Sequence, residues 1–165
     1  MADPGQMQLI SSDGYGIEIQ AIGYQFPEDP DERIRRSWLM IDGTANCAEG
    51  TWHFRWQALT PEEAVELSNW LRKAAAGEIP APSAAGPHAA GHNGPYFTEP
   101  NLTLTLVGYQ QQEAVLRIGL DLEFLPPWRK HNRAGDPFVI QCSLSAADLL
   151  KAANDWDTQI APFPP

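Results

Sequence analysis

The sequence predicts an α+β domain: a single twisted antiparallel sheet of about six or seven strands, with two helices packed against it. Two observations carry this expectation. Apolar and polar residues alternate in several short runs, which is the period of a strand with one wetted face, and only two segments switch to helical spacing.

Taken along the chain, YGIEIQA (15–21) turns Ile17 and Ile19 inward. FPEDPDERIRR (26–36) follows as an irregular stretch of mixed charge. SWLMIDG (37–43) is apolar at four consecutive positions, which predicts a central strand covered on both sides. TWHFRWQ (51–57) alternates again, with Trp52, Phe54 and Trp56 inward. The period then changes. In ALTPEEAVELSNWLRKAAAG (58–77), Thr60 can cap a helix, Pro61 suits its first position, Glu63 completes a capping box and Gly77 terminates it. Ala64, Leu67 and Leu71 form its buried stripe.

Residues 78–95, EIPAPSAAGPHAAGHNGP, offer little to bury and read as a mobile insertion in an otherwise single domain over 1–165. In FTEPNLTLTL (97–106), Leu102, Leu104 and Leu106 face the core, while Pro100 cannot donate to a ladder and separates an entry segment from the strand. Phe97 is expected at the sheet edge. Glu99 is expected to accept backbone hydrogen bonds or, functionally, to serve as an acidic contact. VGYQQQE (107–113) reads as a hairpin connection into VLRIGLDLEF (115–124). There Leu116, Ile118, Leu120, Leu122 and Phe124 face one way and Val115, Arg117, Gly119, Asp121 and Glu123 the other. PPWRKHNRAGDP (126–137) is an irregular, locally basic loop before the strand FVIQCSL (138–144). SLSAADLLKAANDWDTQI (143–160) closes the chain as a helix capped by Ser145, with Leu149, Ala153, Trp156 and Ile160 at helical spacing.

Length and composition bound the function. A chain of 165 residues can bury roughly two-thirds of its unfolded surface in one core, so it needs no staple. Its two cysteines, Cys47 and Cys142, do not form a disulfide framework, and the N-terminus has neither a basic n-region nor an apolar h-region. A reducing, cytoplasmic setting is expected. Twenty-one acidic against eleven basic residues give a net charge of −10, which repels phosphate backbones and favours either simple solubility or a basic partner.

Asp121 and Glu123, two apart on one strand, would hold their carboxylates roughly 7 Å apart, a separation that overlaps an inverting glycosidase pair. With Arg117 on the same face, a solvated salt network is a sufficient explanation and the preferred one. His88 and His92 have ligand-like spacing but sit among glycine and proline, and His53 and His131 lie elsewhere, so no metal site is expected. HExxH, CxxC, GxSxG, P-loop and dinucleotide fingerprints are all absent, and no cofactor is implied. Five of the six tryptophans fall on core positions of strands or helices. Trp128 is the exception: in its loop beside Arg129, Lys130, His131 and Arg133 it either caps the sheet or anchors a partner.

The order of SWLMIDG, TWHFRWQ, LTPEEAVELSNWL, FTEPNLTLTL, a long alternating strand ending in a Trp-bearing turn, and a closing helix resembles the WapI-family immunity proteins of bacteria. The resemblance covers roughly residues 7 to 160, excluding 78–95. Its sharpest motifs are Trp38-Leu39, Leu59-Thr60 through Trp70-Leu71, and Phe97-x-Glu99-Pro100-Asn101-Leu102. It implies a cytoplasmic, non-enzymatic partner that neutralises the toxic C-terminal domain of a polymorphic toxin. It carries no catalytic residues. The candidate partner-binding residues are Trp128, Arg117, Asp121 and Glu123. The alternative is an enzyme or binding protein for a sugar or small polar ligand that uses the carboxylate-bearing face.

Overall fold

The alternating runs do form strands, but the strands divide between two sheets. In the computed structural model, which describes residues 5–80, 93–129 and 135–165, the first sheet is antiparallel and holds four strands in chain order. These are β1 (Met7–Ile10), β2 (Gly16–Tyr24), β3 (Leu39–Cys47) and β4 (Gly50–Leu59). A short helix, α1 (Glu32–Arg35), sits in the charged stretch before β3 and is capped by Asp31, whose side chain accepts from the Arg33 amide. Helix α2 (Pro61–Ala75) then leaves the sheet, and the second, three-stranded sheet begins. It contains β5 (Leu102–Gln110), β6 (Glu113–Leu120) and β7 (Phe138–Ser145), followed by α3 (Ala146–Ile160). The fold class is α+β as expected. The single sheet is corrected to two antiparallel sheets, because α2 carries the chain away from β4 before pairing resumes at β5.

Both sheets are apolar on one face, and those faces share one core with the helices. Leu9, Ile17, Ile19, Ile41 and Phe54 from the first sheet, Leu104, Leu116, Ile118 and Ile140 from the second, and Leu67, Leu71, Leu149 and Trp156 from the helices form a continuous buried cluster. Helix α3 lies against β1, β2, β7 and α2. Both long helices begin with complete capping boxes, Thr60 with Glu63 and Ser145 with Asp148, as their sequences require. Gly77 ends α2 at φ +74°, the left-handed conformation that favours glycine.

Three local expectations change. Strand β3 is central, yet only one of its faces meets the core; on the other, Met40 and Thr44 are half-buried. Trp56 shares the inward face of β4 but remains 43% exposed because β4 is an edge strand. The β5–β6 connection is shorter than 107–113, since β5 runs to Gln110 and only Gln111 and Gln112 turn, both at positive φ.

The entry segment FTEPN is held by α2. Glu63 Oε1 accepts from the Thr98 amide at 2.7 Å and its hydroxyl at 2.6 Å. The accepting carboxylate is therefore Glu63; the Glu99 side chain makes no hydrogen bond among the described residues. Phe97 packs partly buried against the core. At the borders of the expected insertion, Ile79 is buried and Asn93 binds Leu106 through both its backbone carbonyl and its side-chain amide. Residues 81–92, with His88 and His92, lie outside the described residues, as does His131.

Candidate functional site

The loop that follows β6 decides where the expected site residues stand. Strand β6 ends at Leu120, so the predicted alternation through Phe124 does not continue and the shared carboxylate face does not form. Asp121 instead caps a single 3-10 turn, Leu122–Phe124, with Leu122 at φ +52°. Its carboxylate accepts from the Leu122 amide at 2.8 Å and the Gly135 amide at 3.0 Å, and the residue is 1% exposed. A buried carboxylate so engaged ties the two ends of the loop together. Glu123 is exposed and accepts from the Asn101 side-chain amide at 2.8 Å. Arg117 is also exposed, on the outer face of the second sheet between Thr105 and Gln141, and pairs with neither carboxylate.

Trp128 closes the end of the molecule where the two sheets meet. Its ring meets Trp52 of β4 edge-on at 5.3 Å, and Phe138 of β7 at 6.4 Å. Trp52 in turn donates its indole N–H to the Phe124 carbonyl at 2.9 Å. Phe124 packs on Phe54 at 4.2 Å, so the loop is fastened to β4 by two aromatic pairs, Trp128 on Trp52 and Phe124 on Phe54. Trp128 nevertheless remains 40% exposed. It is flanked by Arg129, which pairs with Asp136 and lies over the Phe138 ring at 6.0 Å.

A second charged cluster lies on the outer face of the first sheet. Asp42 of β3 accepts from Arg55 Nε at 2.8 Å and contacts His53 Nε2 at 2.6 Å, both from β4. Burial pushes the Asp42 carboxyl upward, but the hydrogen bonds and charges of Arg55 and His53 outweigh it and leave the group below its ordinary value. Sequence reasoning missed this cluster. Its signal was an acidic residue inside the apolar run LMID, placed opposite Arg55 by the tight hairpin that joins the two strands.

Two shallow clefts are present among the described residues. The larger, about 300 Å³, lies between the end of α2, the β5–β6 turn and the start of α3, and the smaller, about 70 Å³, lies between β1 and α3. Asp121 and Glu123 line neither. No group of three or more His, Cys, Asp or Glu among the described residues could hold a metal ion. No described helix is long and apolar enough to cross a membrane.

Open polar sheet faces, an aromatic end-cap and shallow clefts are the surfaces of a domain suited to recognition. The chain belongs to the immunity protein WapI-like family, whose model matches residues 8–164, nearly its whole length. No curated protein matches it.

Proposed function

We propose that this chain is a cytoplasmic immunity protein that binds, without catalysis, the toxic C-terminal domain of a bacterial polymorphic toxin. Family membership over residues 8–164 carries this reading. The net charge of −10 supports it, since an acidic surface steers a basic toxin domain into encounter. On this reading Trp128 supplies the desolvated anchor, and the exposed Arg117 and Glu123 supply charge that tunes encounter. Asp121 acts indirectly, by holding the loop that presents Trp128.

The sugar or small-ligand alternative loses its support in the geometry of Asp121 and Glu123. One is buried against backbone amides, the other is exposed outside either cleft, and the two share no strand face. The direct test is to express the C-terminal domain of the toxin encoded beside this gene, with and without this chain. Rescue of growth together with a co-eluting complex is expected; growth arrest in the presence of the folded chain would overturn the proposal.

A further inference from the structure

The first sheet ends in a long edge with no strand paired to its outer side among the described residues. Strand β4 runs ten residues and, among the described residues, pairs with β3 alone. Cys47 and Gly50 face one another across a two-residue turn, so they form a hydrogen-bonded pair, and the antiparallel pattern then gives Trp52, Phe54 and Trp56 the main-chain bonds to β3. The amides and carbonyls of Thr51, His53 and Arg55 therefore point away from the sheet. None of them has a hydrogen-bond partner among the described residues, and all three residues are exposed.

The other edges differ. Strand β1 has four residues, β7 lies against β1 and β2, and β5 is capped at Leu106, whose amide reaches the Asn93 carbonyl at 3.3 Å and whose carbonyl accepts the Asn93 side chain at 2.6 Å. Soluble proteins ordinarily blunt an edge in such ways, because an open row of amides templates another strand.

We infer that the β4 edge receives an extended segment of the toxin domain as an added antiparallel strand with an acidic side chain opposite Arg55. This inference rests on the immunity reading. Arg55 spends Nε on Asp42, which fixes its guanidinium on the outer face; its two terminal nitrogens have no partner among the described residues. A planar fork held in that way suits a carboxylate on the neighbouring strand. On the opposite face, the half-exposed Trp56 gives the incoming strand an apolar surface. A second copy of this chain fits poorly: each copy carries −10, and antiparallel pairing of β4 with itself brings His53 and Arg55 close to their own counterparts.

Hydrogen exchange on the folded chain, alone and with the toxin domain encoded beside its gene, tests this. Thr51, His53 and Arg55 amides are expected to exchange freely in the free chain and to slow at least roughly 100-fold in the complex. His53→Pro removes one outward amide without removing a main-chain bond to β3, although it also removes the His53–Asp42 contact, and is expected to weaken binding at least about 10-fold. Arg55→Gln keeps every main-chain group and is expected to weaken it about 5-fold. If His53→Pro melts the fold, the exchange pattern and Arg55→Gln decide. A complex that forms with these amides still fast overturns the strand addition and leaves the immunity reading standing. No complex at all removes both. Protection that grows with concentration in the free chain identifies self-pairing and overturns the inference.

Discussion

Glu63 joins the start of α2 to Thr98, thirty-five positions later, through one carboxylate that serves both. Its Oε2 accepts from the Thr60 amide at 3.0 Å to complete the capping box, while Oε1 accepts from the Thr98 amide and hydroxyl. Glu63→Ala leaves the Thr60 and Thr98 amides without that acceptor at once and is expected to cost about 2–3 kcal/mol in urea unfolding. Glu63→Gln keeps an acceptor and should cost about half as much. Thr98→Ala removes only the hydroxyl contact and is expected to cost about 1 kcal/mol. A Thr98→Ala variant as stable as the parent would show that the hydroxyl contact adds nothing beyond the cap.

The β5–β6 turn holds a different reserve. Gln111 and Gln112 sit at φ +51° and +66°, a left-handed pair that the tight hairpin demands and that glutamine adopts at a cost. Replacing them by Asn-Gly, which accepts this geometry readily, is expected to raise stability by about 1 kcal/mol. Thermal melting of the double variant measures it, and a lower midpoint would mean that the glutamine side chains contribute more than the backbone strain removes.

Much of this fold was legible because local signals agreed with tertiary ones. Both capping boxes, the buried stripes of the helices and the alternation of Leu102, Leu104 and Leu106 all stand as the spacing predicts. What failed was anything that depended on where a strand stops. Alternation through Phe124 continues past Leu120, but the Asp121 side chain takes the next backbone amide and Leu122 turns left-handed, so periodicity alone could not mark the break. The candidate site suffered for the same reason, since Asp121 and Glu123 were expected on a strand face that ends before them. The division into two sheets was equally invisible, because pairing partners are set by chain reversal and not by period. Trp128 does lie in an irregular loop, but Trp38, read as strand, also falls just outside β3, and the position of Trp128 over Trp52 follows from a contact between sheets that no local window contains.

Asp42 gives the first sheet a specific acid response. Its folded-state pKa is depressed, so the stabilisation from its charged contacts is present above the ordinary carboxylate value of 3.8 and is lost as pH falls through the lower folded value. Arg55 and His53 are 56% and 58% exposed, so screening limits the contribution to about 1 kcal/mol. The difference in unfolding free energy between the parent chain and Asp42→Asn is therefore expected to shrink as pH falls below 3.8. A difference that stays constant down to full protonation would show that Asp42 acts through packing alone.

The two thiols should be kinetically distinct. Burial pushes Cys142 up to about 12, so near its ordinary value of 9.0 almost none of it is thiolate in the folded chain. Cys47, half-buried at the end of β3, has no such seal. Alkylation of the native protein is expected to label Cys47 at least about 100-fold faster than Cys142, with both equalising in denaturant. Peptide mapping of the labelled chain reads the order directly, and fast native labelling of Cys142 would mean that β7 opens locally.

Trp128 separates packing from recognition most clearly, because it does some of each. Its ring covers Trp52, and a Cβ on Gly50 would come within 3.2 Å of it, so Trp128→Ala uncovers the end of the core and is expected to cost about 1–2 kcal/mol of stability. As the partner anchor proposed above, it should also cost about 2 kcal/mol or more in affinity for the toxin domain, read mainly in the dissociation rate. Glu123→Gln and Arg117→Gln, both on exposed side chains, are expected instead to alter the association rate and its salt dependence by small factors. Binding is measured after each variant is shown to be folded, so the stability cost does not enter the affinity. A Trp128→Ala variant that binds within about 0.5 kcal/mol of the parent would reduce this residue to a lid on the core and move the partner's footprint elsewhere.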